Sequence, residues 1–103
     1  MGASKKDFFP KQIVSISNAC KGFGHPARII IMENLILGGE WICEDFLQLI
    51  PLTRTTIWQH LQLLQNARLI QGKFKNNSTV YYINENQLKE IKNYFSSIKS
   101  SKL

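Results

Sequence analysis

Residues 43–67 read CEDFLQLIPLTRTTIWQHLQLLQNA, and this stretch decides the fold. Glu44 and Asp45 put carboxylates in the first turn of a short helix, where they suit the positive end of the helix dipole. Phe46, Leu47, Leu49 and Ile50 give that helix an apolar face, and Pro51 stops it. Thr53 has the hydroxyl expected of a helix N-cap. From there a second helix runs to Ala67, with Ile57, Leu61 and Leu64 on one face. Arg54, Thr55, Trp58, Gln59 and Gln62 occupy the opposite face. Two short helices, 43–50 and 53–67, joined by a tight turn at Ile50-Pro51-Leu52, make a helix-turn-helix unit.

The outward face of the second helix is uncharged-polar and basic, with no carboxylate. An ordinary solvated face mixes Glu with Lys. A face that meets DNA must avoid carboxylates, because phosphates repel them, and Gln, Thr and Arg can hydrogen-bond base edges in the major groove. Base contacts are therefore expected from Thr55, Gln59 and Arg54. No acidic residue falls between Asp45 and Glu85, whereas Arg54, Arg68, Lys73 and Lys75 do.

Beyond this helix, LIQGKFK (69–75) and STVYYI (78–83) flank Asn76-Asn77. Alternation, aromatic and β-branched residues, and an Asn pair that tolerates positive φ predict a hairpin. Lys73 and Lys75 on that hairpin, together with Thr53, are placed to reach phosphates. Asn84 then caps a last helix, with Gln87 three residues on and Leu88, Ile91, Phe95 and Ile98 as its apolar stripe. On the other side, Phe9, Ile13, Ile16, Cys20 and Phe23 recur at helical spacing and stop at Gly22-Phe23-Gly24. His25-Pro26 opens a further helix whose Ile29, Ile30, Met32, Leu35 and Ile36 suggest burial, and Gly38-Gly39 ends it. Trp41-Ile42 reads as a short extended link. The expected fold class is therefore mainly α with a small β-hairpin, a winged helix-turn-helix in the order α-α-α-α-β-β-α. One domain spans 8–98, between polar tails at 1–7 and 99–103.

Taken together, GHPARIIIMENLILGG (24–39 and its flank), the TTIWQHLQLL helix and the VYYI strand resemble the ArsR-type (arsenic-repressor-like) winged-helix regulators over about residues 22–95. The resemblance implies a homodimer whose interface is built from the first and last helices: Phe9, Ile13, Ile16, Cys20, Leu88, Ile91, Phe95 and Ile98. It also implies repression by binding double-stranded DNA, with release on an unknown signal. Carried over by position, it adds Thr53, Thr55, Thr56, Gln59 and His60 as contacts of the recognition helix. Three departures stand out. Trp58 occupies a place where the family usually has Ser, and fits either an exposed anchor or a core cap. Arg68 replaces the usual Gly, so the left-handed turn falls on Arg68 or shifts to Asn66. The family's metal signature, two cysteines one residue apart followed by Asp, is replaced by Trp41-Ile42-Cys43-Glu44-Asp45.

Composition agrees with a small binding protein. The chain has 103 residues, 44% apolar, and a formal charge of +6, which favours a polyanionic partner. Two histidines and two cysteines at no motif spacing predict no metal and no cofactor. No enzyme is expected, since no nucleophile has a neighbouring His and carboxylate in sequence. A cytoplasmic, non-membrane protein is expected from the lack of a long apolar run. The terminal Ser101-Lys102-Leu103 matches a peroxisomal address, a three-residue coincidence in this reading. Two rival readings stay open: a winged-helix protein-interaction module anchored by Trp58, and a thiol-responsive regulator using Cys20 and Cys43.

Overall fold

The computed structural model describes residues 5–99. A 3-10 turn at Lys5–Phe8 leads into α1 (Lys11–Lys21), α2 (Pro26–Leu37), α3 (Cys43–Leu47), α4 (Arg54–Asn66), β1 (Ile70–Lys75), β2 (Ser78–Ile83) and α5 (Glu85–Ser96). The terminal Ser101-Lys102-Leu103 and the first four residues lie outside the described part. This is the winged helix-turn-helix order that the sequence predicts, with α3 and α4 as the helix pair and β1–β2 as the wing.

Local chemistry sets the boundaries. Pro10 caps α1 and Pro26 occupies the first turn of α2, positions where a missing N–H costs nothing. The His25 imidazole accepts the Ala27 N–H at 3.0 Å. The Asp45 carboxylate reaches back to the Ile42 N–H at 2.9 Å and fixes the start of α3. Thr53 and Asn84 accept the N–H groups of Thr56 and Gln87 and start α4 and α5. Asn76 and Asn77, at φ 51° and 64°, form the two-residue turn, with Lys75 opposite Ser78 and Ile70 opposite Ile83. Trp41 joins the hairpin edge through a bridge to Tyr81.

The core lies where α2, α4 and the hairpin meet. Ile31, Phe46, Ile57, Leu61, Leu64 and Leu69 are fully buried in it. Gly22 is required there: a Cβ would lie 2.5 Å from the Leu69 side chain.

Two expectations change, and one open alternative is decided. The third helix ends at Leu47, and the chain continues to Ile50 as turns, because the Leu49 and Ile50 N–H groups both bond to the Phe46 carbonyl. The apolar residues of α2 are not all buried. Ala27, Ile31, Met32 and Leu35 face the core, while Ile29, Ile30 and Ile36 are exposed. A helix packed along one side hides only the residues within that stripe. Finally, the left-handed residue after α4 is Arg68 itself, at φ 61°, and Asn66 stays helical. The Asn84 amide donates to the Arg68 carbonyl at 2.8 Å, which holds this turn against the start of α5.

Candidate nucleic-acid interface

Helix α4 seats on the core through Ile57, Leu61 and Leu64, so the opposite arc stands outward. At 3.6 residues per turn, Arg54, Thr55, Trp58, Gln59 and Gln62 cover an arc of roughly 140°. Arg54, Thr55, Trp58 and Gln59 are exposed, and Gln62 is half-buried with its amide on Gln65 at 3.1 Å. Trp58 is 51% exposed, which resolves its two readings in favour of the outward one. Its ring, with Cys43, Arg54 and Thr55, lines a shallow cleft of about 240 Å³ between α3 and α4.

Thr56 and His60 fall outside this arc. Thr56 is half-buried, and its hydroxyl lies 3.0 Å from that of Thr53 at the start of the helix. His60 is buried, 9% exposed, so its expected place among the outward contacts is corrected. The reason is helical phase: one turn from Ile57 and Leu64, His60 turns toward α2. There the Arg28 guanidinium donates to its Nδ1 at 3.0 Å, so the imidazole carries its proton on Nε2. The His25 ring lies 4.4 Å from it. Arg28 also donates to the Gly22 carbonyl at 2.8 Å. Burial, with the neighbouring His25 and Arg28 charges, pushes the His60 pKa below its ordinary value. The sequence signal for this clamp is the HPAR opening of α2, but nothing local ties it to residue 60.

The wing brings its lysines to the same side of the hairpin, since Lys73 and Lys75 are two residues apart on one strand. The Lys73 ammonium lies 5.7 Å from the centre of the Tyr82 ring. Lys75 is held by Glu40, and Arg54 by Glu44. Neither carboxylate figures among the sequence-predicted site residues. Phe74, 77% exposed on the wing, is a third residue that sequence reasoning misses. Strand alternation puts it on the face of Ile70 and Tyr81, but past the edge of the core.

The expected interface residues divide. Ile16 and Ile91 are buried in the core, and Cys20 is half-buried against it. Those three are spent on the monomer's own packing. Phe9, Ile13, Phe95 and Ile98 are exposed, at 57%, 39%, 56% and 61%, and Leu88 is half-buried. Both cysteines are free thiols, and Cys43 also packs against the core. Burial pushes the Cys43 thiol up, outweighing the nearby Arg54 charge, which keeps it protonated and a weak nucleophile at neutral pH. Among the described residues no group of three or more His, Cys, Asp or Glu side chains is placed to hold a metal ion, and no helix is long and apolar enough to cross a membrane.

No family model matches the chain. An uncharacterized HTH-type transcriptional regulator of Methanocaldococcus jannaschii is 28% identical over 71 residues, covering 69% of this chain and 80% of that protein. Among solved structures, an ArsR-like transcriptional regulator from a Rhodococcus species superposes with a TM-score of 0.75 at 16% identity, over 84% of this chain and 81% of the other. A possible transcriptional regulator for arsenical resistance gives 0.69 at 22% identity, over 78% and 82%. The homodimeric winged helix-turn-helix DNA-binding domain of a possible ArsR-family regulator from Mycobacterium bovis gives 0.70 at 19% identity, over 92% and 86%. The structural neighbours are thus ArsR-family winged-helix regulators, and the fold of this chain is theirs.

Proposed function

We propose that this chain is a homodimeric, sequence-specific DNA-binding transcriptional regulator of the ArsR type, and not an enzyme. The carboxylate-free outer arc of α4 carries the reading. The donors and acceptors of this exposed helix face of Arg, Thr, Trp and Gln match base edges in a major groove. Thr55 and Gln59 read bases, Trp58 meets a thymine methyl or the sugar edge, and Arg54, Lys73 and Lys75 engage phosphates. Thr53 and Gln62 border the contact, and Thr56 acts through the helix cap.

The dimer is proposed on the exposed apolar side chains of α1 and α5. Ile13 on α1 and Phe95 on α5, with Phe9 just before α1 and Ile98 just after α5, are exposed, and the two helices pack against each other. Large apolar side chains left in water favour association. Two copies related by a twofold axis would place their α4 helices in successive major grooves, about 34–36 Å apart. We place the protein in the cytoplasm with the DNA it binds.

Selection of bound duplexes from a random pool tests the reading. A palindromic consensus is expected. A protein that enriches no sequence and binds duplex without salt dependence is not a DNA reader, and its α4 face then serves a protein partner.

A further inference from the structure

Three cations lie on α4 and the wing strands, Arg54, Lys73 and Lys75, and two of them are neutralised from within the chain. The carboxylates come from the segment that precedes the helix pair. Glu40 accepts the Lys75 ammonium on both oxygens, at 3.0 and 2.8 Å, and the Tyr82 hydroxyl at 3.2 Å. Glu44, in the first turn of α3, is ion-paired and hydrogen-bonded to Arg54.

The Glu40 contact is held by its backbone. Gly38 and Gly39 take φ of 101° and 100°, where other residues are strained, and turn the chain out of α2. The next residue, Trp41, is locked on three sides. Its indole N–H donates to the Gly38 carbonyl at 3.1 Å, its carbonyl accepts the Tyr81 N–H at 2.8 Å, and its ring stacks on Phe46 at 5.0 Å. Glu40 is thus carried on a fixed turn beside the wing. The Lys75 contact holds the Glu40 carboxyl below its usual range, and the Lys75 ammonium is correspondingly held above its own, so both partners report one favourable pair.

We propose that Glu40 and Glu44 are affinity-setting residues: they hold Lys75 and Arg54 in ion pairs within the chain that a phosphate contact must break, so duplex without matching base contacts is held weakly. The proposal rests on the DNA-binding reading above. Phosphate binding in general is driven by release of counterions around cations. A lysine already paired with a carboxylate gains less from a phosphate, and the freed carboxylate is left near the phosphate chain. Base contacts by α4 offset that loss only on the correct sequence.

The test is fluorescence anisotropy with a labelled random-sequence duplex of about 30 base pairs, which spans both half-sites of a dimer. Wild type, E40Q, E44Q, the double variant and E90Q are titrated over a range of salt. Glu90 lies exposed on α5, so E90Q repeats the change in net charge away from the reading face. E40Q and E44Q should each tighten random-duplex binding about threefold at 0.1 M salt, in line with exposed ion pairs. Each should steepen the plot of log affinity against log salt by up to about 0.9. The double variant should gain about tenfold on random duplex and by a similar factor on a selected sequence, leaving the ratio between them unchanged. Equal gains from E90Q, or unchanged slopes in E40Q and E44Q with intact melting, overturn the proposal and leave the DNA reading standing. Wild type that binds no duplex at any salt overturns both.

Discussion

The α4 arc and the α1–α5 stripe are both exposed, and they are exposed for opposite reasons. On α4 the outward side chains are mostly polar and satisfied by water, with Trp58 the exposed aromatic among them, while Ile57, Leu61 and Leu64 are buried. On and beside α1 and α5 the outward side chains include Phe9, Ile13, Phe95 and Ile98, which water does not satisfy. Polarity that is stable in water leaves the first surface waiting for a ligand that replaces water's hydrogen bonds. Apolar area in contact with water favours association with similar area. Each face thus has the chemistry of the partner proposed for it: a polyanion with readable edges for one, a second copy for the other.

Four changes break or sharpen this contrast, from the largest expected effect to the smallest. Phe95→Asp should weaken the dimer by roughly a thousandfold, since a buried aromatic anchor is worth about 2 kcal/mol and a twofold interface uses it twice. Sedimentation should show monomer, with little change in circular dichroism, because the side chain is exposed within one copy. A dimer that survives would move the interface elsewhere.

Next, Gln59→Ala and Lys73→Ala should fail differently. The first should cost about 1–3 kcal/mol of discrimination at one base position. The second should weaken binding to every sequence and reduce the salt slope by about 1. Identical behaviour of the two variants would erase the distinction between helix and wing.

The third change is pH. His60 is buried with a lowered pKa in the fold, while an unfolded histidine titrates near 6.5. Above that value both states are neutral and stability is flat. As pH falls below about 6.5 the unfolded state takes up the proton first, so stability declines until the folded pKa is passed. Protonation also places a positive charge beside the Arg28 guanidinium and removes the acceptor for Arg28. Thermal melts across pH 5–8 should show this decline, and His60→Gln should flatten it. An equal slope in the variant would assign the acid sensitivity to other groups.

Smallest is Arg68→Gly. The left-handed conformation costs a non-glycine residue about 1 kcal/mol or slightly more, so the substitution should raise stability by up to about 1 kcal/mol. The α4–β1 turn should keep its shape, and duplex binding should not change. A destabilised protein would mean that the Arg68 side chain contributes more than its backbone conformation costs.

The sequence by itself determined the element order and most of the element boundaries. Thr53, Asn84, Pro26 and the Asn76-Asn77 pair act within three residues of themselves, so their chemistry is legible wherever they occur. The same holds for the carboxylate-free stripe of α4, because a helix repeats its faces at fixed spacing. What tertiary structure decided was which stripes meet. Ile16 and Ile91 carry the same pattern as Ile13 and Phe95, yet only the packing of α1 and α5 on the core separates buried from exposed. His60 joins the contact set only through the resemblance; its helical phase sets it beside Ile57 and Leu64, and Arg28, 32 residues away, holds it in the interior. Glu40 and Lys75 are 35 residues apart, and Glu44 and Arg54 are 10 apart across a turn. Local chemistry fixes dihedral angles; pairings across loops depend on how completed elements pack, and neither periodicity nor capping reports that.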